Sequence, residues 1–470
     1  MGEYGVPTEA PHGVMSSNGG TATANGSESG EKSKVGLSSL WKGHTVFDAW
    51  LIAAAGQIGF VLVTLPYTMS QMGFAWGSAA SVLYGLIGAW CVYLLVWLYL
   101  EFKSRIDLQG KVRPENYILQ YHEVIGELTG RWGRKITYFY IIFTLFMASI
   151  ICVVASSSNL YYANPRLNKR EWTYIAGGVS FLAVLVPDFG HFRSGAFIGV
   201  ITTTITSIYL LVAALSYGQR PGVKHTGAND MVEFFSGVGN ILGAYGGHGI
   251  TIEILETMKR PSAYKYVNLA VFFYALLVTI PSSVAVYWSA GDILLKQSNA
   301  FAVLPGSGWQ TLAIATIIAH QAMGFILFTH PIFLLCEKAA GVHTRRFFLR
   351  VLCRIPVVAI MFFFALAVPF FGPINSLLGS FGVGLGMYLI PAVVFLVTYR
   401  TKSARENSPV KPPWFLPTWS LVFVVNVVVI LWTLVVGVGL GGWAGISNLI
   451  RQVHSFGFFD KCFQCPPKPK

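Results

Sequence analysis

The chain has 470 residues, of which 54% are hydrophobic and only 11% are charged, with a mean hydropathy of +0.58. Soluble domains carry about 25% charged residues, so this composition excludes an ordinary water-soluble domain and indicates a membrane protein. The formal net charge of +13 does not indicate a nucleic-acid partner, because the basic residues lie in short loops between apolar stretches.

Apolar stretches of bilayer length recur along most of the chain. Residues 1–44 are rich in Gly, Ser, Thr and Asn and are expected to form a disordered tail. Residues 45–439 are predicted to form an all-α polytopic membrane domain with eleven spans, and residues 440–470 a C-terminal tail, because a bilayer core of about 30 Å needs roughly 20 apolar residues per helix. The predicted spans are 46–72, 75–102, 136–162, 172–188, 193–216, 231–257, 265–289, 307–337, 350–371, 374–398 and 414–439.

The distribution of Lys and Arg predicts the orientation in the membrane. With the N-terminus inside, the predicted cytoplasmic loops hold 20 of these residues and the outer loops hold 6. Cytoplasmic loops carry the excess of positive charge in membrane proteins, so the N-terminus is expected in the cytoplasm and the C-terminus outside. The long inner loop 103–135 has apolar residues at helical spacing after Tyr117, which predicts an amphipathic helix on the membrane surface.

Two of the predicted spans are interrupted by glycine. The first contains Gly56 and Gly59, followed by Pro66, and we place its break near 55–60. The sixth contains four glycines within residues 243–249, around His248. Glycine costs about 1 kcal/mol relative to alanine inside a helix, so neither stretch is expected to hold a continuous helix.

The positions of these breaks predict the fold. They fall in the first spans of two consecutive five-span units, and an odd number of spans inserts the second unit upside down relative to the first. This predicts a LeuT-type 5+5 inverted repeat with a peripheral eleventh transmembrane helix. In that fold the substrate lies between the two broken helices near the bilayer midplane, where free N–H groups receive a carboxylate.

Two titratable residues are candidates for proton coupling. His248 titrates near pH 6.5, so it can accept a proton from an acidic exterior and pair with a carboxylate. Its alternative role is a hydrogen bond to the broken helix without titration. Glu253 follows one turn later, as a proton carrier or as a brace for the half-helix.

Further candidate substrate-binding residues flank the breaks or lie on spans that face the pocket in this fold. Each of them has helix packing or main-chain hydrogen bonding as its alternative role. They are Gly56, Gln57, Gly59, Phe60, Met147, Cys152, Tyr245, Gly247, His320, Gln321 and Phe325. No metal cluster, phosphate loop or catalytic triad is evident, so we expect no cofactor and no enzymatic activity, with an ion gradient as the driving force.

Long motifs carry a resemblance to a known family. They include the decapeptide from Thr64, Ser158-Asn-Leu-Tyr-Tyr, Gly246-Gly-His-Gly-Ile-Thr-Ile-Glu, Pro369-Phe-Phe-Gly-Pro-Ile-Asn-Ser and Lys461-Cys-Phe-Gln-Cys. Over most of residues 45–465 the chain resembles the plant auxin influx carriers of the amino acid/auxin permease family. The resemblance implies a LeuT-type fold and proton-driven uptake of indole-3-acetic acid across the plasma membrane.

The chain departs from that family at three positions. Asn stands in the carriers at the position of Gly56, and Gln stands at the positions of Phe60 and Cys152, so a less polar pocket is expected here. A permease for neutral or aromatic amino acids and a non-transporting auxin-binding receptor are therefore alternatives. Cys462 and Cys465 form a C-x-x-C that either closes a disulfide in the oxidising exterior or holds two free thiols.

Overall fold

The computed structural model describes most of the predicted membrane domain, and its secondary structure is helical. Nine of the helices in this part of the chain are long and apolar enough to cross a bilayer. The predicted tail 1–44 and the candidate residues Gly59 and Phe60 lie outside the described residues. The described ranges are 45–58, 61–110, 119–186, 192–343 and 345–465.

Glycines in left-handed or extended conformations separate several helices in the first half of the chain. Gly73 (φ 79°) stands between α2 and α3, and Gly130 (φ 85°) stands between α4 and α5. The helix α4 lies at the predicted amphipathic stretch. The helices are α1 Val46–Ile58, α2 Leu65–Met72, α3 Phe74–Leu108, α4 Tyr121–Thr129, α5 Arg131–Ala163, α6 Lys169–Ser180 and α7 Phe192–Tyr217.

The second half contains two π-helical stretches rich in glycine or β-branched residues. Leu378–Leu389 joins α13 to α14, and Thr433–Leu440 joins α16 to α17. The helices are α8 Met231–Ala244, α9 Thr251–Thr257, α10 Tyr264–Ala290, α11 Gly308–Ala339, α12 Phe347–Ala367, α13 Phe371–Leu377, α14 Ile390–Thr398, α15 Lys402–Glu406, α16 Trp419–Trp432 and α17 Gly441–Phe456.

Two predicted spans are not among the nine long helices. The fourth consists of α6 and a short 3-10 stretch, Phe181–Leu185. The sixth consists of α8, a 3-10 turn at Gly247–Ile250, and α9, each shorter than a bilayer crossing. The sixth is divided because the turn at Gly247–Ile250 interrupts its helix.

The last helix is longer than the apolar pattern predicts. The final span was expected to end at 439, with a tail from 440, but the helical stretch runs from Trp419 to Phe456. Gly441 and Gly442 stand at the junction and allow close packing: a Cβ at Gly441 would lie 2.9 Å from the Ser380 hydroxyl, and one at Gly442 would lie 2.6 Å from the Phe381 ring. These glycines therefore serve a helix contact instead of ending the helix.

The core of the bundle is built around α5, α7, α8, α10 and α11. The helix α11 packs along α5 and α7, while α8 packs on α17 and on the 378–389 stretch. By contrast, α16 is peripheral and presents Val424, Val428 and Leu431 to the surroundings. An outward face of large aliphatic side chains suits contact with lipid.

Candidate functional site

The interruption of the sixth segment lies in the interior of the bundle. Helix α8 ends at Ala244, and the chain passes through Tyr245 and Gly246 into the 3-10 turn Gly247–Ile250 before α9 begins. A Cβ at Gly246 would collide with the side chain of Val383 on the π-helical stretch. Glycine is therefore required here for the main chain to pass against its neighbour.

This turn meets the end of α1. A Cβ at Gly247 would lie 2.5 Å from the Cα of Gln57 and 2.7 Å from the carbonyl oxygen of Gly56. A Cβ at Gly56 would in turn lie 3.2 Å from the side chain of Ile250. The backbone that follows α8 and the backbone that ends α1 thus touch directly, with no side chain between them.

An apolar cavity lies on one side of this contact. Helix α5 contributes Thr144, Leu145 and Ala148 to its wall, and α11 contributes Phe328. The remaining wall comes from the glycines after α8 and from the stretch 378–389. The cavity is narrow, so an aromatic ligand requires the surrounding helices to separate before it enters.

A more polar cavity lies beside the same turn. Its wall includes Gln57 of α1, His248 of the turn and Asn268 of α10. Asn268 donates a hydrogen bond to the carbonyl oxygen of Ala89 on α3 at 2.7 Å. This places an amide and an imidazole within one small space next to the contact between the two interruptions.

His248 is buried, with 4% of its surface exposed. Its Nε2 lies 3.0 Å from the carbonyl oxygen of Met387, and its ring packs edge-on against Tyr388 with centroids 5.4 Å apart. Because a carbonyl oxygen only accepts hydrogen bonds, Nε2 carries the proton in this contact. A second proton therefore has to bind at Nδ1.

Glu253 lies on α9 and faces the amphipathic helix α4. Its carboxylate accepts a hydrogen bond from the backbone N–H of Tyr121, the first residue of α4. Its Oε2 is enclosed and has no hydrogen-bond partner within the described residues. The carboxylate therefore lies between α9 and α4, with one oxygen that could bind a proton.

The other candidate residues occupy several different places. The Tyr245 hydroxyl lies 2.8 Å from Thr279 on α10, and Cys152 faces Gly324 of α11. Met147 is half-buried in the core and Phe325 is 3% exposed. These positions place Gly56, Gln57, Gly247 and His248 together, whereas Met147, Cys152 and Phe325 pack between helices.

His320 and Gln321 belong to separate polar contacts of α11. His320 Nδ1 lies 2.9 Å from the Thr203 hydroxyl and 3.1 Å from the Gly199 carbonyl oxygen, both on α7. Gln321 Oε1 accepts hydrogen bonds from Ser156 and Asn159 of α5 at 3.0 and 3.2 Å. The two residues therefore point from α11 toward different helices.

Buried amides connect α2 and α8, one helix from each of the two interrupted segments. Asn240 of α8 donates to Gln71 Oε1 of α2 at 3.1 Å, and Gln71 Nε2 donates to the Tyr67 hydroxyl at 3.0 Å. Asn375 of α13 donates to Asn240 Oδ1 at 3.2 Å. Because buried amides are held strongly by such partners, α2, α8 and α13 are coupled to one another.

Several of these residues were not predicted. Asn268 carries a signal, since it is an isolated amide in an apolar stretch, where polar groups tend to be functional. The glycines at 379, 382, 384 and 386 indicate close packing of the stretch 378–389, which accepts the hydrogen bond from His248 through the Met387 carbonyl. The Met387 carbonyl has no signal, because every residue has one.

A bundle of long apolar helices around two touching interruptions, with buried polar groups beside them, defines a polytopic membrane transporter. The chain belongs to the family described as transmembrane amino acid transporter protein, whose model matches residues 42–436.

Three relatives are similar to this chain over nearly its whole length. "Auxin transporter-like protein 2" of Oryza sativa subsp. japonica is 44% identical over 91% of this chain and 89% of its own length. "Auxin transporter protein 1" of Arabidopsis thaliana is 40% identical over 98% of this chain and 96% of its own. "Auxin transporter-like protein 2" of Medicago truncatula is 42% identical over 92% and 89%, respectively.

Proposed function

We propose that this chain is a proton-coupled symporter that imports auxin, indole-3-acetic acid, across the plasma membrane. The observation that carries the proposal is the contact of Gly247 with Gly56 and Gln57, with His248 buried beside it. The names of the relatives, which match over nearly their full length, point to auxin as the substrate.

The proposed architecture is a LeuT-type 5+5 inverted repeat with an eleventh transmembrane helix. In this arrangement α1–α2 and α8–α9 are the two broken helices, and α16–α17 is the peripheral one. The N-terminal residues 1–44 lie in the cytoplasm, and the chain beyond α17 lies outside. The disulfide between Cys462 and Cys465 supports the outer placement, because disulfides persist in oxidising compartments.

In the proposed cycle, His248 takes a proton from the acidic exterior and pairs with the auxin carboxylate. A charge-assisted hydrogen bond of this kind contributes about 1.5–3 kcal/mol. The indole ring lies in the apolar cavity bounded by α5 and α11 once these helices separate, and Gln57 and Asn268 contact the polar part of the ligand. Loss of the proton to the cytoplasm weakens the pairing and releases auxin inside.

Glu253 is proposed as a second proton carrier on the cytoplasmic side. Its contact with the backbone of Tyr121 links its charge state to the seating of α4. Protonation removes the negative charge that this N–H favours, so α4 is expected to loosen when Glu253 is neutral.

Uptake of labelled indole-3-acetic acid tests the proposal. Cells that express the chain are assayed at external pH of about 5.5 and about 7.5, on either side of the ordinary pKa of histidine, with surface expression measured in parallel. Faster uptake at the acidic pH, abolished by a protonophore, is expected. Surface-expressed protein with no uptake at either pH, but with saturable auxin binding, would instead support a receptor.

A neutral or aromatic amino acid is the second candidate substrate. The family description names amino acids, and Gly56 and Cys152 place no amide side chain at their positions. Competition by excess unlabelled amino acids in the same assay separates the two candidates. Uptake of labelled tryptophan or leucine, without uptake of labelled auxin, would replace auxin as the substrate.

A further inference from the structure

The segment that follows the last helix folds back over the bundle. Gly457 ends α17 with a φ of 79°, and the Phe459 N–H then donates to the Ala367 carbonyl oxygen at the end of α12. The Arg170 N–H donates to the carbonyl oxygen of Lys461. Residues 458–465, here called the latch, are therefore attached to two separate elements of the bundle.

The disulfide of the latch encloses the two residues that make its deepest contacts. Cys462 and Cys465 are bonded, and Phe463 between them is only 3% exposed. Its ring lies 5.0 Å from Phe370 and 5.1 Å from Phe456. The C-x-x-C thus forms a small closed loop that presents Phe463 to an aromatic pocket.

A buried lysine holds this loop. Lys169, at the start of α6, donates to the Phe463 carbonyl oxygen at 2.6 Å and to the Tyr162 hydroxyl at 3.2 Å. Its ammonium also lies over the rings of Tyr161 and Tyr162, at 5.4 and 5.0 Å. Burial of a lysine is costly unless such partners compensate it, so these contacts depend on the loop remaining seated.

Gln464 connects the latch to the outer connection between α10 and α11. Its Oε1 accepts hydrogen bonds from the Ser298 N–H and hydroxyl at 3.0 and 2.8 Å. Ser298 in turn lies against α13, since a Cβ at Gly372 would be 3.3 Å from the Ser298 Cβ and 3.0 Å from the Tyr67 ring. The latch therefore holds this connection against the outer parts of α2 and α13.

The same connection leads toward the interior. Asn299, next to Ser298, donates to Asn159 Oδ1 at 2.7 Å, and Asn159 donates to Gln321 Oε1 at 3.2 Å. These residues are nearly fully buried. A displacement of the connection at Ser298 thus reaches α5 and α11, which bound the apolar cavity.

The backbone of the latch is strained in a way that its contacts must compensate. Phe459 and Gln464 are the non-glycine residues with a left-handed φ among the described residues, at 57° and 53°. Such conformations persist only where the surrounding contacts stabilise them. Both lie in the latch, which suits a segment that is held in place by its contacts and is released when they are lost.

We infer that residues 458–465 form a redox-sensitive latch that keeps the outer side of the transporter closed while the Cys462–Cys465 loop is seated on Lys169 and Ser298. The inference rests on the outer placement of this segment under the proposed function. Two molecules of an external thiol reduce the disulfide: the first thiolate attacks one cysteine sulfur and releases the other cysteine, giving a mixed disulfide. The second thiolate attacks the reductant sulfur of this mixed disulfide and releases the remaining cysteine. The products are two cysteine thiols and the oxidised reductant.

An introduced cysteine at Ala300 measures the latch directly. Ala300 lies in the connection and is fully buried, and cysteine is close to it in size. A membrane-impermeant maleimide is applied to intact cells that express Ala300→Cys alone, with Phe463→Ala, or with Cys462→Ser and Cys465→Ser together. Labelling of Ala300→Cys is expected to be about tenfold faster in both latch variants, which corresponds to a loss of about 1.4 kcal/mol of latch contacts.

The matched control is Phe458→Ala, because Phe458 belongs to the same segment but is 61% exposed. Its labelling rate is expected to equal that of Ala300→Cys alone. Surface biotinylation verifies that each variant folds and reaches the membrane. Equal labelling rates in all variants at equal surface amounts would overturn the latch.

The assay needs no substrate, so its result is independent of whether auxin is transported. Labelling of Ala300→Cys only after permeabilisation would place the connection in the cytoplasm and overturn the outer location. With the outer location established, reduction of the unsubstituted disulfide is expected to speed labelling of Ala300→Cys to the rate of the double serine variant. An unchanged labelling rate of Ala300→Cys after addition of reductant would overturn the redox control of the latch.

Discussion

The main chains of Gly247 and Gln57 approach so closely that a Cβ at Gly247 would lie 2.5 Å from the Gln57 Cα. This is a contact between backbones, and neither side can move aside as a flexible side chain would. It holds the two interrupted segments close together, and Gly247 lines both the apolar and the polar cavity next to it.

Gly247→Ala is expected to abolish uptake, because the added methyl group pushes the end of α1 away from the turn after α8. Gly178→Ala is the matched control, since a Cβ at Gly178 meets nothing within 4 Å. Initial uptake rates per surface-expressed molecule decide the outcome. Equal rates in the two variants would show that the contact is dispensable.

His248→Gln separates hydrogen bonding from charge. The glutamine amide can still donate to a carbonyl such as that of Met387, but it cannot become a cation. We expect uptake at about pH 5.5 to fall roughly ten- to hundredfold, which corresponds to the loss of a charge-assisted hydrogen bond, with little remaining pH dependence. A pH profile like that of the unsubstituted chain would rule out His248 as the proton carrier.

Glu253→Gln keeps a carbonyl oxygen that can accept from the Tyr121 N–H but removes the titratable group. If Glu253 carries a proton, exchange of labelled for unlabelled substrate is retained while net uptake loses its dependence on the proton gradient. If Glu253 is only a brace, both rates remain near those of the unsubstituted chain. Parallel exchange and net-uptake measurements distinguish the two results.

Glu337→Gln is expected to destabilise the whole bundle. Glu337 is fully buried and accepts from Arg350 at 2.8 Å and from Arg354 at 2.6 Å. Arg354 is also buried and donates to the carbonyl oxygens of Val184 and Val186. Breaking a buried ion pair on one side costs about 3–5 kcal/mol, so thermal unfolding of the purified variant is expected at a clearly lower temperature.

Lys402→Gln provides the control for that measurement. Its ion pair with Glu406 is largely exposed, and exposed pairs contribute about 0–1 kcal/mol. Its unfolding temperature is therefore expected to stay within about one or two degrees of that of the unsubstituted chain, because a given change in the free energy of unfolding shifts Tm less in a larger protein. Equal shifts in the two variants would contradict a special role for the buried pair.

Lys169, which precedes the apolar segment 172–188, makes the latch sensitive to external pH. Burial lowers the pKa of its ammonium from 10.5 to about 7, and the Asp460 carboxylate opposes this shift. Lys169 therefore binds its proton more tightly when the latch is released than when the latch is in place. The latch is thus destabilised as the pH falls from about 10 to about 7. Below about pH 7 the lysine is protonated in both states, and the stability of the latch changes little. The other charged or titratable groups that face this site are Arg170, Lys461, Tyr161 and Tyr162.

The labelling rate of Ala300→Cys is thus expected to rise as the pH is lowered from about 9 to about 7. The rate is expressed relative to that of Gly306→Cys, an exposed position in the same connection. Combination with Lys169→Met, which keeps the length of the side chain but not its charge, is expected to remove this dependence. A dependence that persists with Lys169→Met would assign it to another group.

The helical segments and the interruption around His248 are readable from the sequence because they depend on local composition. Long apolar stretches have to satisfy their backbone within a helix, and the glycines from 243 to 249 weaken helix formation locally. Contacts between distant parts of the chain leave no comparable signal. The hydrogen bond from His248 to Met387 joins residues 139 positions apart and uses a main-chain oxygen.

Residue-level expectations were less complete where they depended on side-chain direction. Tyr245 flanks the interruption as expected, but its hydroxyl turns toward Thr279. His320 and Gln321 are consecutive on α11, so they point to different neighbours, namely α7 and α5. Placing a residue on the correct helix does not determine which face of that helix it occupies.

The contact between Gly247 and the end of α1 is made chiefly by main-chain atoms, whereas much of the wall of the apolar cavity is formed by the side chains of Thr144, Phe328 and Val383 on other elements. Gly247 belongs to both, but most of the groups that face a ligand lie outside the contact. Mutations in the walls can alter which molecule is carried while the moving parts stay the same. A change of substrate therefore requires changes at only a few wall positions and leaves the contact between the two interrupted segments as it is.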